Sequence, residues 1–181
     1  FLTTVHTLAS GSSGNAAVLS CGDTHLLIDA GISCRRITAA LKELGLSPAE
    51  LGAILITHTH TDHIAGLNVL LKKTNCPILA TARTCRELNS RLPETESRLQ
   101  AVDDPISFGD MEITPVPTSH DAPGSCGWRF DTDGGSVGFL TDTGYITDEA
   151  ADLLPGVDLA ILEANHDVEA LRSGPYPYYL K

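Results

Sequence analysis

The chain has 181 residues, 42% hydrophobic and 19% charged, which is enough to bury a sizeable core and too apolar for a disordered segment. Its net charge of −11, from 12 Lys and Arg against 23 Asp and Glu, argues against a protein that grips nucleic acid through a broad basic face. No apolar run reaches the roughly 18 residues that span a bilayer, and Phe1-Leu2-Thr3-Thr4-Val5-His6 has neither the basic region nor the cleavage site of an export signal. A single α/β domain over 1–181, cytoplasmic and with no membrane contact, is expected. Cys21, Cys34, Cys76, Cys85 and Cys126 are odd in number and never spaced C-x-x-C, so they read as reduced packing residues.

Leu2 to Leu8 alternates as a strand does, and the small-residue stretch Ser10 to Asn15 follows as a loop. Two readings of that loop weigh equally. Its backbone N–H groups and the side chains of Ser12, Ser13 and Asn15 approach a substrate phosphate, or it is merely a connection between strands. Ala16 to Ser20 and Thr24 to Ile28 read as strands joined by a Cys21-Gly22-Asp23 turn. Asp29 directly after Leu26-Leu27-Ile28 will be partly buried and needs a donor. The second N–H of a metal-bound imidazole would supply one, which makes Asp29 an orienting partner rather than a ligand. Ser33 can cap an amphipathic helix whose inner face is Ile37, Ala40, Leu41 and Leu44, with Gly45 at its end.

Ile54-Leu55-Ile56 is a buried strand that runs into Thr57-His58-Thr59-His60-Thr61-Asp62-His63. Strand residues alternate in direction, so His58 and His60 leave on the same side and can grip one ion. If Thr61 caps a helix from His63 to Leu71, Asp62 and His63 fall in its first turn and turn toward a second centre. Burying three imidazoles and a carboxylate at a strand end does little for stability unless cations satisfy them together. Two divalent ions are therefore expected, and they would neutralise part of the chain's acidity.

Pro77 to Ala80 reads as a short strand, and Thr81 caps a helix from about Ala82 to Leu92 that Pro93 closes. The polar run Glu94 to Gln100 is expected to be exposed. Pro105 to Phe108, Met111 to Val116, Gly127 to Phe130, Ser136 to Leu140 and Val157 to Leu162 read as strands of a second sheet. On its own His120 reads as a surface-loop residue and Asp142 as part of an Asp-containing turn, while Arg35-Arg36 and Lys72-Lys73 read as solvated helix faces or, alternatively, as local basic patches on an acidic protein.

His58-Thr59-His60-Thr61-Asp62-His63 resembles the HxHxDH motif of the metallo-β-lactamase fold hydrolases. Leu8-Ala9-Ser10-Gly11-Ser12-Ser13-Gly14-Asn15, Leu27-Ile28-Asp29-Ala30-Gly31, Pro117-Thr118-Ser119-His120-Asp121-Ala122, Leu140-Thr141-Asp142-Thr143-Gly144 and Leu162-Glu163-Ala164-Asn165-His166-Asp167 look like the YycJ/WalJ group within it. The resemblance implies an αββα sandwich, two mixed sheets face to face with helices outside, the first sheet ending near Leu92. It implies that His120 completes the first metal's set with His58 and His60, that Asp142 bridges to a second metal held by Asp62 and His63, and that the ions are zinc or manganese. Asp62 and His166 are the candidates for direct catalytic roles, His166 at the mouth as an acid, a substrate contact or a residue that supports a metal ligand.

The activity implied is hydrolysis by a metal-activated hydroxide, as a phosphodiesterase or nuclease with 5′ to 3′ exonuclease action on double-stranded DNA. The alternatives are a small-molecule hydrolase of thioesters, lactones or cyclic phosphodiesters, which would suit the acidic composition, and a non-catalytic metal-binding regulator linked to cell-wall signalling. Members of the group continue past the residues matching Tyr176 to Lys181 to a further histidine that completes the second metal's set, so the chain is expected to be a piece lacking that C-terminal part, or to hold the second metal more weakly, or to use another residue such as His166 in its place. An exposed apolar flank near Tyr176, Tyr178 and Tyr179, open to self-association, is expected there.

Overall fold

The structure, a computed structural model, describes residues 2–163. The first half forms a six-stranded sheet from β1 (Thr3–Ala9), β2 (Ala16–Cys21), β3 (Thr24–Ile28), β4 (Ala53–Leu55), β5 (Ile78–Ala80) and β6 (Leu99–Ala101), side by side in chain order. The first three are antiparallel, and β3 to β6 are parallel with helical crossovers between them. The second half forms a five-stranded sheet from β7 (Ile106–Phe108), β8 (Met111–Pro117), β9 (Cys126–Thr132), β10 (Gly135–Leu140) and β11 (Leu159–Leu162), antiparallel except for the β10–β11 pair.

Strand alternation builds the layers. Val18, Leu27 and Ile54 face a core shared with Ile37 and Leu41 of helix α1 (Cys34–Glu43) and Leu88 of a later helix. Their neighbours Leu19, Leu26, Ile28 and Leu55 point the other way, onto Ile113, Trp128 and Phe130 of the second sheet. On the far face of that sheet Val116 and Leu140 pack against Ala150. The result is the expected αββα sandwich.

Ser33 caps α1 by accepting from the Arg36 N–H, as expected. The metal-loop segment differs from expectation. Instead of one helix from His63 to Leu71 capped by Thr61, there are two short turns, α2 (Thr61–Ile64) and α3 (Leu67–Leu70), with His60 at the N-cap and Thr61 inside the first. Gly66 lies between them, where the chain presses on the loop after β3. Its N–H donates to Ala30 O at 2.8 Å, and a Cβ there would stand 2.1 Å from the Ile32 carbonyl oxygen. That contact, rather than helix propensity, sets the break.

Helix α4 (Ala82–Arg91) has its Thr81 cap, but the polar run after it is not simply exposed. Pro93–Arg98 forms a 3₁₀ segment with Thr95 fully buried, and Arg98 donates to the carbonyls of Leu71 and Thr74. The next residues become β6, so the first sheet ends near Ala101 rather than Leu92. Helix α5 (Asp148–Leu153), capped by Thr147, covers the outer face of the second sheet. No helix of the described residues is long and apolar enough to cross a membrane. The Tyr176 to Tyr179 flank lies outside the described residues.

Candidate metal centre

The candidate residues gather where strands of both sheets end. Asp29 follows β3, His58 to His63 follow β4, His120 follows β8 and Asp142 follows β10. Asn15, just before the antiparallel β2, reaches the same rim. Sheet pairing at the ends holds the loops in place: Leu55 O accepts from Asp29 N at 2.8 Å, Asp62 O from Asn15 N at 2.7 Å, His63 O from Ala30 N at 2.8 Å, and Thr57 O from Cys126 N at 3.1 Å. Gly31 is where the β3 and β4 loops touch, because a Cβ there would lie 1.5 Å from the Asp62 carbonyl oxygen.

Four imidazoles converge. The ring centre of His58 lies 4.7 Å from that of His60, 4.0 Å from His63 and 4.6 Å from His120. His60 Nδ1 and His120 Nε2 face each other at 3.1 Å. Donor atoms of His58, His60 and His120 all lie within 4.8 Å of one another, as do those of His58, His63 and Asp142, so either trio could hold a cation. Asp62 stands at the edge of the second trio, its Oδ2 3.6 Å from His63 Nε2.

The protons follow a single chain of donors. Thr57 spends its one hydroxyl hydrogen on Asp29 Oδ2 at 2.8 Å, and its N–H donates to Asp29 Oδ1 at 2.9 Å. Its oxygen lies 3.0 Å from His58 Nδ1 and can then only accept, which places the His58 hydrogen on Nδ1. His63 Nδ1 sits 2.7 Å from Asp29 Oδ2 and donates to it. Both rings consequently turn Nε2 inward. His58 Nε2 is buried with no hydrogen-bond partner, while His63 Nε2 reaches Asp142 Oδ2 at 3.0 Å.

Burial, reinforced by the neighbouring His63 and His120, pulls the His58 pKa down to about 3. For His63 burial works in the same direction, but hydrogen bonds to Asp142 and Asp29 outweigh it and push the pKa up to about 10. Burial would raise Asp142, yet His63 and the other imidazoles bring it below the usual carboxylate value. Burial likewise lowers His120.

Of the other sequence candidates, Asn15 reaches the cluster: its Nδ2 donates to Asp62 Oδ2 at 3.3 Å and lies 3.1 Å from His63 Nε2. Ser12 and Ser13 are exposed on the adjoining turn. His166 lies outside the described residues. Four contributors were not singled out from sequence. They are Thr57, which links Asp29 to both rings; Arg91, whose guanidinium donates to Thr59 O between His58 and His60; Asp121, 3.5 Å from His60 Nε2; and Glu163, which accepts from Asp142 N at 2.7 Å. Only Thr57 carried a signal, as a hydroxyl at the exit of a wholly apolar strand.

Residues 24–174 match the family described as "Beta-lactamase superfamily domain". The chain is 40% identical over 179 residues to the exodeoxyribonuclease WalJ of Streptococcus pneumoniae, covering 96% of this chain and 66% of that protein. It is 36% identical over 177 residues to the exodeoxyribonuclease YycJ of Bacillus anthracis, covering 96% and 67%. It thus spans about two thirds of the length of these curated relatives. Among solved structures, a diphosphatase of the PhnP family superposes with a TM-score of 0.70 at 24% identity, over 87% of this chain and 72% of that one. The agreement of profile, relatives and architecture places the chain in the metallo-β-lactamase superfamily, and within it in the YycJ/WalJ group.

Proposed function

We propose that the chain is a metal-dependent hydrolase of DNA phosphodiesters, an exodeoxyribonuclease acting 5′ to 3′ on double strands. The observation that carries the reading is the buried, partnerless Nε2 of His58 at the meeting point of three other imidazoles. A desolvated ring nitrogen with an unused lone pair is unfavourable by itself and suits a cation. His58, His60 and His120 would hold one divalent ion, and Asp62, His63 and Asp142 would hold a second. The imidazole-rich trio favours zinc, and the carboxylates also accept manganese. Ions held there supply Lewis acidity and lower the pKa of water enough for attack near neutral pH.

The protein's own residues prepare the site. Thr57 leaves His58 Nε2 with a lone pair facing inward, and Asp29 holds His63 so that its Nε2 faces the same space and would give up its proton to a bound ion. Asn15 holds Asp62, which serves to orient the attacking water. Ser12 and Ser13 offer hydroxyls on the exposed rim for a phosphate. The DNA assignment comes from the relatives named as exodeoxyribonucleases.

Protein incubated with zinc or manganese would be offered 5′-phosphorylated duplex DNA, single-stranded RNA, a thioester and a lactam, with Asp62→Ala as control. Release of nucleotides from the duplex supports the reading. The net charge of −11 favours the small-molecule alternative, and cleavage of the thioester alone would establish it instead.

A further inference from the structure

Among the described Phe, Tyr and Trp residues, only Tyr145 is largely exposed, at 70%, and Ile146 beside it is 51% exposed. Neither takes part in a core cluster. Both stand on the loop that leaves Asp142, and that loop is stitched to the segment carrying His120. Ser119 O accepts from Gly144 N at 2.9 Å, and Ser119 N donates to Thr143 Oγ1 at 3.3 Å. Ser119 Oγ lies 2.8 Å from both the N–H and the carbonyl of Tyr145, and Thr143 Oγ1 donates to the same carbonyl at 2.6 Å. The backbone of an exposed aromatic residue is thereby fixed to the residue preceding one candidate ligand and to the loop of another. Such an anchor loses little freedom when a partner lies on its ring.

We propose that Tyr145 stacks on the base of the terminal nucleotide while its phosphodiester sits at the histidine cluster, with Ile146 extending the apolar platform. The assignment rests on the nuclease reading above and names how that site holds its substrate. Base stacking needs no cationic surface and does not discriminate among bases, because each has a π-face. It therefore suits a protein with 12 basic against 23 acidic residues, a balance that does not favour binding through phosphate contacts over a wide face.

The test compares KM for a duplex with an ordinary terminal nucleotide and for one whose terminal nucleotide is abasic, with direct binding by anisotropy alongside. Tyr145→Ala should raise KM and weaken binding roughly tenfold or more on the ordinary duplex, with kcat little changed. The same substitution should change nothing on the abasic duplex, and Tyr145→Phe should behave as wild type. Unchanged KM for Tyr145→Ala on the ordinary duplex, or an equal loss on both, overturns the stacking role and leaves the nuclease reading standing. Dissociation of a wild-type dimer by Tyr145→Ala would also overturn it, by assigning the patch to a second copy of the chain. Wild-type protein that neither binds nor cleaves DNA removes both proposals together.

Discussion

Asp29 accepts a 2.7 Å hydrogen bond from Nδ1 of His63 across 34 residues of sequence, and both side chains are almost wholly buried. The backbone of Asp29 sits at φ +58°, a left-handed conformation that Asn tolerates and Ala does not. Asp29→Asn therefore removes the charge with little backbone strain. It should lower zinc affinity roughly ten- to hundredfold, the range for losing the partner that orients a metal-binding histidine. Titration calorimetry of the two proteins decides it, and equal affinities would show that His63 orients without Asp29.

The two buried imidazoles predict opposite pH dependences for the metal-free protein. His63 has a folded pKa of about 10 against 6.5, so folding binds its proton between those values and the stabilisation is lost as pH rises through 10. His58 has a folded pKa of about 3, so the unfolded chain binds the proton between 3 and 6.5 and stability falls as pH drops through that window. Urea unfolding of chelator-treated protein should show a maximum near pH 6 to 7, falling on both sides. Added zinc should flatten the alkaline limb, since metal takes the place of the His63 proton. A profile that rises steadily to pH 9 without metal would contradict the His63 assignment.

Gly31 predicts a steric result. A methyl group there would meet the Asp62 carbonyl oxygen at 1.5 Å, backbone against backbone, so the β3 and β4 loops must separate. Gly31→Ala should destabilise by roughly 1–3 kcal/mol or more, the range for overpacking, and should weaken metal binding as Asp62 and His63 are displaced. Thermal unfolding and zinc titration check both. A variant with wild-type melting and affinity would mean that these loops are not in contact in solution.

The motif at His58 to His63 and the capped helices starting after Ser33 and Thr81 were legible because their signals are local: ligand spacing, and a hydroxyl before an apolar period. His120 and Asp142 were not legible as isolated residues, since each stands alone after its strand and only resemblance joined them to the cluster. The misread segments are those ordered by distant partners. Glu94 to Gln100 has no apolar period, and it docks because Thr95 is buried and Arg98 reaches two carbonyls in a different segment. Thr61 looks like a cap, but the Ala30 to Ile32 loop pressing on Gly66 decides where the helical turns begin and end. Arg91 belongs to an ordinary exposed helix face by pattern, and its bond to Thr59 O exists only once α4 lies beside the metal loop.

On the proposed nuclease function, salt should affect DNA binding only weakly. Each phosphate neutralised by a basic side chain steepens the dependence of log K on log salt by about 0.9 on duplex DNA. The chain's 12 basic residues are outnumbered by 23 acidic ones, and Arg91, Arg98 and Arg129 are turned to backbone carbonyls or to Asp131, which leaves a short basic track at most. Two or three contacts give a slope of about −2 to −3, whereas the proposed stacking on Tyr145 neutralises no phosphate and adds nothing to the slope. Anisotropy titrations between 50 and 200 mM salt measure the slope directly. A slope steeper than about −6 would require an extended basic track, and the binding energy would then reside in phosphate contacts away from the cluster rather than at the rim where Tyr145 stands.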